Sequence, residues 1–145
     1  MGTVTRSTLV HASVDEVVKV ATDPDVVFPI MGGFGRFECI DRHPDGSQEW
    51  DLYLDVGTIH AGGRVRVEAP SEHSLAWESV RGIQHSAHIE VSPATDGATV
   101  TMTISVQFAG RLLAGWATSL LADGILARNI EAGLQQMRHR IEYGR

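Results

Sequence analysis

A chain of 145 residues with 43% hydrophobic and 21% charged residues is long enough to bury a sizeable core and has the balance of an ordinary globular domain. Its net charge of −6 (12 basic against 18 acidic residues) is scattered in both signs, with Lys19 the only lysine, so a nucleic-acid partner, which needs a basic stripe, is not expected. The single cysteine, Cys39, excludes an internal disulfide and no secretory signal precedes the first predicted strand, both of which suit a cytoplasmic location. Residues 112–127 are too few, and interrupted by Asp123, to span a bilayer, which takes about 20 apolar residues; stable membrane insertion is not expected either.

Residues 3–10, rich in Thr and Val, read as a first strand. Ser13-Val14-Asp15-Glu16 is a capping box, and Val14, Val17, Val18 and Ala21 share one face of a short helix that Asp23-Pro24 ends. Residues 26–36 read as an irregular apolar loop, because Gly32, Gly33 and Gly35 interrupt Phe28, Pro29, Ile30, Met31 and Phe34. The pattern then turns to period two. Strands are predicted over 37–42, 48–56, 58–68, 75–81, 84–92 and 98–108, joined by short turns into an antiparallel meander. Trp50, Leu52, Leu54 and Val56 fall on one face, as do Val65 and Val67, with Arg64, Arg66 and Glu68 opposite. In the last strand Val100, Met102, Ile104, Val106 and Phe108 alternate with Thr99, Thr101, Thr103, Ser105 and Gln107.

Residues 110–143 close the chain as a long predicted helix. Leu113, Ala117, Leu120, Gly124, Ala127, Ile130, Leu134, Met137 and Ile141 recur at steps of three and four and share one face. A glycine inside a helix costs about 1 kcal/mol relative to alanine. The small Ala117, Gly124 and Ala127 on the inward stripe therefore imply either close approach to a sheet or a roof over a cavity. A one-sided sheet needs its apolar face covered, and the long helix is the only predicted element able to cover it.

This layout of strand, capped acidic helix (Ala12-Ser13-Val14-Asp15-Glu16-Val17), Asp23-Pro24 loop, meander with Leu75-Ala76-Trp77 in one strand, and long final helix resembles the START/pollen-allergen-like (SRPBCC) superfamily, polyketide cyclase/dehydrase type. The resemblance implies an α+β helix-grip fold with residues 1–145 as a single ligand-binding domain. A curved antiparallel sheet of about seven strands would wrap around the C-terminal helix, with a cavity between them for a lipid, quinone or polyketide-like molecule. Members include carriers, cyclases, hydroxylase subunits and co-chaperones, so the likeness speaks to fold before function. The iron–sulfur segment of the hydroxylase subunits is missing, and the turn His43-Pro44-Asp45-Gly46-Ser47 lacks the glycine-rich loop of the plant allergens.

Gly32-Gly33-Phe34-Gly35 does not follow a strand or open a helix in a βαβ unit, so it is not a dinucleotide fingerprint. A lid at a pocket mouth, with Phe28, Met31 and Phe34 as apolar teeth, and a plain packed loop both suit it. His85 and His88, three apart in a strand, point to opposite faces and cannot share an ion; no other His, Cys, Asp or Glu cluster has ligand spacing, so neither a metal nor a cofactor is expected. Ser79 and Arg81 are in phase with Trp77, and His85 with Ala87 and Ile89, which brings the three to one end of the inner face as a polar patch; the plainer alternative is a solvated rim. A Gly-x-Ser-x-Gly elbow is absent from the sequence, which disfavours a hydrolase. Asp51, Tyr53 and Asp55 occupy the outer face, and each tryptophan taken singly is better placed in the core than in a pocket.

Three functions follow from these residues. The leading one is a non-enzymatic binder or carrier of a hydrophobic small molecule. Its lining is Trp50, Leu52, Leu54, Val65, Val67, Trp77, Ile89, Met102, Ile104, Leu113, Trp116, Ala117, Leu120 and Gly124, with Phe28, Met31 and Phe34 at the mouth and Ser79 and His85 as polar groups. The second is a cyclase, aromatase or dehydratase acting on a polyketide-like substrate, with His85 as acid/base and Ser79 and Arg81 positioning an oxygen. The third is a protein-interaction module, homodimerisation included, docking through Leu112, Trp116, Leu121 and the apolar loop.

Overall fold

The computed structural model of the chain describes residues 2–31, 35–56, 59–82, 84–107 and 124–144. In chain order these form β1 (Gly2–Val10), α1 (Val14–Ala21), α2 (Pro24–Ile30), β2 (Gly35–Arg42), β3 (Gln48–Val56), β4 (Ile59–Glu68), β5 (Ser74–Arg81), β6 (His85–Ala94), β7 (Gly97–Val106) and α3 (Ile125–Tyr143). All seven strands lie in one antiparallel sheet of order β1-β7-β6-β5-β4-β3-β2. The meander runs from β2 to β7, and β1 closes onto β7 with Gly2 opposite Val106 and Val10 opposite Ala98. The predicted alternation is the pleat of this sheet: Ala98, Val100, Met102 and Val106 are buried, while their neighbours Thr99, Thr101, Thr103 and Ser105 are partly exposed. Thr3, Thr5 and Ser7 of β1 reach across the outer face to the hydroxyls of Ser105, Thr103 and Thr101 at 2.9–3.1 Å.

The capping box forms, with Ser13 Oγ accepting the amide of Glu16 at 3.2 Å. The helix it starts ends at Ala21, but the chain does not then become irregular. Asp23 Oδ1 accepts the amide of Asp25 at 3.0 Å and Pro24 opens α2, so residues 24–30 are helical where a loop was expected. An aspartate N-cap followed by proline at the first helical position satisfies one orphan donor and removes another. The same dipeptide thus stops one helix and starts the next. Gly32, Gly33 and Phe34 lie outside the described residues.

Phe28 of α2 is fully buried and sits at the centre of an aromatic cluster. Its ring stacks on Phe37 of β2 at 4.9 Å, and lies 4.8 Å from Trp50 of β3 and 5.0 Å from Trp77 of β5, the last edge-on. It is a core anchor and not a tooth on a lid. Meanwhile α1 packs on β5, β6 and β7, and α3 packs on β1 with α1 and α2 beside it. Three helices therefore share the apolar face that the long helix alone was expected to cover.

The predicted helix over 110–143 is described from Ile125 onward; Leu112, Leu113, Trp116, Ala117, Leu120 and Leu121 lie outside the described residues. Ile130, Leu134, Met137 and Ile141 form the buried stripe as the spacing requires. Gly124 is not an interior helical glycine: it is the N-cap, in the left-handed region with φ 69°. Its small size answers a backbone need and says nothing of a cavity. The close approach is instead at Gly133, buried on α3, where a Cβ would overlap the side chain of Met31 just after α2. Met31 is accordingly a packing residue under α3.

The C-terminal end of α3 is tied to the sheet through Glu142, whose side chain is 9% exposed. Its carboxylate accepts the backbone amide of His11 at 3.0 Å and the Arg138 guanidinium at 3.1 Å. These bonds, His11 first, hold the carboxyl below its ordinary pKa.

Replacing Phe28 with alanine should lower unfolding stability by about 3–5 kcal/mol, the usual loss for a fully buried phenylalanine, as read by urea denaturation followed through Trp50 and Trp77 fluorescence. Because the Glu142 pKa is depressed in the fold, its contribution is present in full above the unfolded carboxyl value near about 4.3 and disappears as pH falls through the folded value. Glu142→Gln should therefore be less stable than the parent at pH 7, with the gap closing in acid; denaturation midpoints across pH 3–7 would check this.

Candidate ligand site

Among the described residues, the inner face of the sheet is sealed at one end and only partly buried at the other. At the end held by Glu142, Val10, Leu75, Val91, Ala98 and Val100 pack without access to water. Ala87, Ile89, Trp77, Val65 and Met102 continue that surface in the middle and are buried too. Beyond them the inward positions loosen: Val4, Ser79, His85 and Ile104 are only partly buried. The strands β1, β5 and β6 share this gradient; on β7 only Ile104 loosens, and Val106 beyond it, opposite His85, is buried again. The inward-facing Arg6 of β1 is solvent-accessible there and donates to Glu131 of α3 at 2.8 Å.

Sequence phase placed Ser79, Arg81 and His85 together, and the structure unites two of them. Ser79 Oγ accepts the backbone amide of His85 at 3.0 Å, so the β5–β6 crossing is pinned where the inner face opens. With its acceptor side engaged, the Ser79 hydroxyl proton is directed elsewhere and can donate to a third group. A cleft of about 350 Å³ runs along the rim beside them, bounded by Glu78, Ser79, Gln84, His85, Ser86, Ser105 and Gln107.

Arg81 belongs to the other face. Val65 pairs with Ser79 while the adjacent Arg64 pairs with Arg81, which leaves Val80 as an extra residue in β5. The bulge reverses the phase, so Arg81 emerges beside Arg64 on the outside, where its charge helps keep Asp51 ionised. It cannot position a substrate oxygen against Ser79. On that outer face Asp51 takes two bonds from Arg64, at 2.8 and 3.2 Å. This pairing, chiefly the Arg64 hydrogen bond, lowers the Asp51 pKa. Asp51 lies on the outer face as expected but is buried rather than solvated. Its neighbour Tyr53 is exposed, with the Arg36 guanidinium 5.2 Å from the ring.

The expected lining divides as follows. Trp50, Leu52, Val65, Val67, Trp77, Ile89 and Met102 are buried core, and Ile104 is the member that stays partly open. Trp50 also donates its indole N–H to Gln48 at 2.8 Å, which fixes its ring. Leu54 lies on β3 opposite Gly35 and Ala61. His85 and His88 face opposite sides, opposite Val106 and Thr103 respectively, as their spacing required.

A cluster with ligand spacing does exist among the described residues, against the expectation. Asp41, His43 and Glu49 bring one donor atom each within 4.8 Å of one another at the β2–β3 hairpin. Neither spacing nor alternation signals it, because a bulge at Ile40 moves Asp41 out of phase. Only the pairing of the two hairpin arms could have revealed it.

A seven-stranded antiparallel sheet gripping a C-terminal helix is the helix-grip fold. The chain belongs to the family described as polyketide cyclase/dehydrase and lipid transport, whose model matches residues 1–142. Binding of a hydrophobic small molecule is the class of function this membership supports. Similar solved structures include a protein from Thermus thermophilus (15% identity, 97% of each chain, TM-score 0.79). Another is the Zhui aromatase/cyclase from Streptomyces sp. R1128 (17% identity, 99% of this chain and 97% of that one, TM-score 0.69). A third is a START superfamily protein from Mycobacterium smegmatis (17% identity, 93% and 98%, TM-score 0.62). At these identities the likeness is one of fold. No curated protein matches the sequence. No described helix is long and apolar enough to cross a membrane.

Proposed function

We propose that this chain binds and carries a hydrophobic small molecule at the open end of the sheet's inner face, with the ligand's polar group directed at Ser79 and His85. The observation that carries this reading is the burial gradient. Apolar inward residues are sealed at one end of four strands, while at the other Val4, Ile104, Ser79 and His85 are only partly buried beside the buried Val106. A mainly apolar surface with a few placed polar groups is the usual make-up of a small-molecule site. The ligand's apolar body would extend along Ile104 and Val106, and an oxygen on its head could accept from the Ser79 hydroxyl. The family description, which includes lipid transport, agrees with a carrier.

An enzymatic reading has one observation in its favour. His85 is an imidazole on this part of the inner face, where Arg6 is already paired with Glu131, and Ser79 stands next to it. A fold neighbour is an aromatase/cyclase. In that reading His85 transfers a proton while Ser79 orients a carbonyl, and the loss of Arg81 to the outer face leaves one positioning group fewer than the sequence pattern implied.

Native mass spectrometry of the freshly purified protein, repeated after adding oleic acid, should show a one-to-one adduct. Ile104→Trp, which fills the open end, should reduce uptake on the order of tenfold or more while the circular dichroism spectrum stays native; unchanged uptake in that variant would sink the site. For the enzymatic reading, His85→Ala should abolish turnover of a poly-β-ketone thioester with little change in its binding. Equal turnover in parent and variant would remove His85 from any catalytic role.

A further inference from the structure

We infer that Asp41, His43 and Glu49 form a binding site for a divalent transition-metal ion of the zinc class, on the outer end of the β2–β3 hairpin and separate from the ligand site. The argument begins with register. Cys39 pairs with Trp50, and the next pair is Asp41 with Glu49, so Ile40 is an extra residue and lies exposed. Without that bulge Asp41 would follow Cys39 onto the inner face. With it, two carboxylates stand directly opposite each other across an antiparallel pair, an arrangement that repels unless a cation intervenes.

The nearby arginines make their ion pairs with other carboxylates, although Arg66 is the cross-strand partner of Glu49 and Arg64 feels its charge. Arg42 is bonded to Asp25 at 2.9 Å, Arg66 lies 3.6 Å from Asp45, and Arg64 is held by Asp51. What stands between the carboxylates is His43, with Nε2 3.0 Å from Glu49 and Nδ1 3.8 Å from Asp41. The turn that presents it is built firmly. His43 and Ser47 close the hairpin through a 2.8 Å backbone bond, and Asp45 accepts from both the amide and the hydroxyl of Ser47.

Two carboxylates and one imidazole are an oxygen–nitrogen set that suits zinc and its neighbours; the imidazole selects against magnesium and calcium. In a tetrahedral site with bonds of about 2.0–2.2 Å the donors stand about 3.3–3.6 Å apart. The three donors here already lie within 4.8 Å of one another, and side-chain exposures of 31–58% leave them free to close the rest. Three protein ligands leave a fourth position to water.

The test is a titration of the labelled full chain with zinc chloride, followed through the imidazole nitrogen resonances and by calorimetry. Saturable one-to-one binding that moves the His43 ring, undiminished by excess magnesium, is the expected result. His43→Ala and Glu49→Gln should each weaken it at least about tenfold, in line with what even outer-shell losses cost at metal sites. Asp41→Asn serves the same purpose should either variant fail to fold. Zinc binding of equal strength in a folded variant, or an unmoved His43 ring at millimolar zinc, would overturn the proposal.

Discussion

The seating of Phe28 against Phe37, Trp50 and Trp77 is the contact on which the rest of the architecture depends. A seven-stranded sheet with one apolar face has to be covered, and β2 and β3 lie at the far edge from β1, where α3 packs. By lowering one ring into the bend of that far half, α2 joins β2, β3 and β5 to the helical layer. Its other end leads to Met31, which occupies the space that Gly133 leaves on α3. The helical layer is therefore locked at two points, one aromatic and one made by the absence of a side chain. Close packing of this kind tolerates little change in volume.

Polar contacts then decide which end of the inner face stays shut. Glu142 takes the amide of His11 at the β1–α1 junction and is itself held by Arg138. Around this clamp the aliphatic residues of β1, β5, β6 and β7 exclude water. At the other end the Ser79 hydroxyl joins β5 to the start of β6, and Val4, Ile104 and His85 around it are only partly buried. A ligand at the proposed site would lie beyond Trp77 of the aromatic cluster and at the end away from the clamp.

Two one-residue bulges shape the surface chemistry. The extra Ile40 sends Asp41 to the outer face beside Glu49, and the extra Val80 sends Arg81 to the outer face beside Arg64. A bulge changes no residue's identity and reverses the face of everything beyond it. One of the two withdraws an arginine from the candidate ligand site. The other assembles three metal-type donors where alternation scatters them.

Legibility in the sequence followed the range of the forces involved. The strands, the Ser13 cap, the buried stripe of Ile130, Leu134, Met137 and Ile141, and the opposite facing of His85 and His88 are consequences of local periodicity and capping, and the chain alone determined them. Asp23-Pro24 was legible as a helix stop but not as a helix start, because both readings use the same two residues. What lay beyond the sequence depends on register and on contacts distant along the chain. Phe28 is a core anchor only because Phe37, Trp50 and Trp77 converge on it. Gly133 and not Gly124 marks the close approach, since that is where α3 meets Met31. Arg81 and Asp41 change faces because a partner strand skips a residue. Periodicity determines which side chains can share a face; the tertiary structure decides which of them meet, because pairing register and packing are set by segments far apart in the chain.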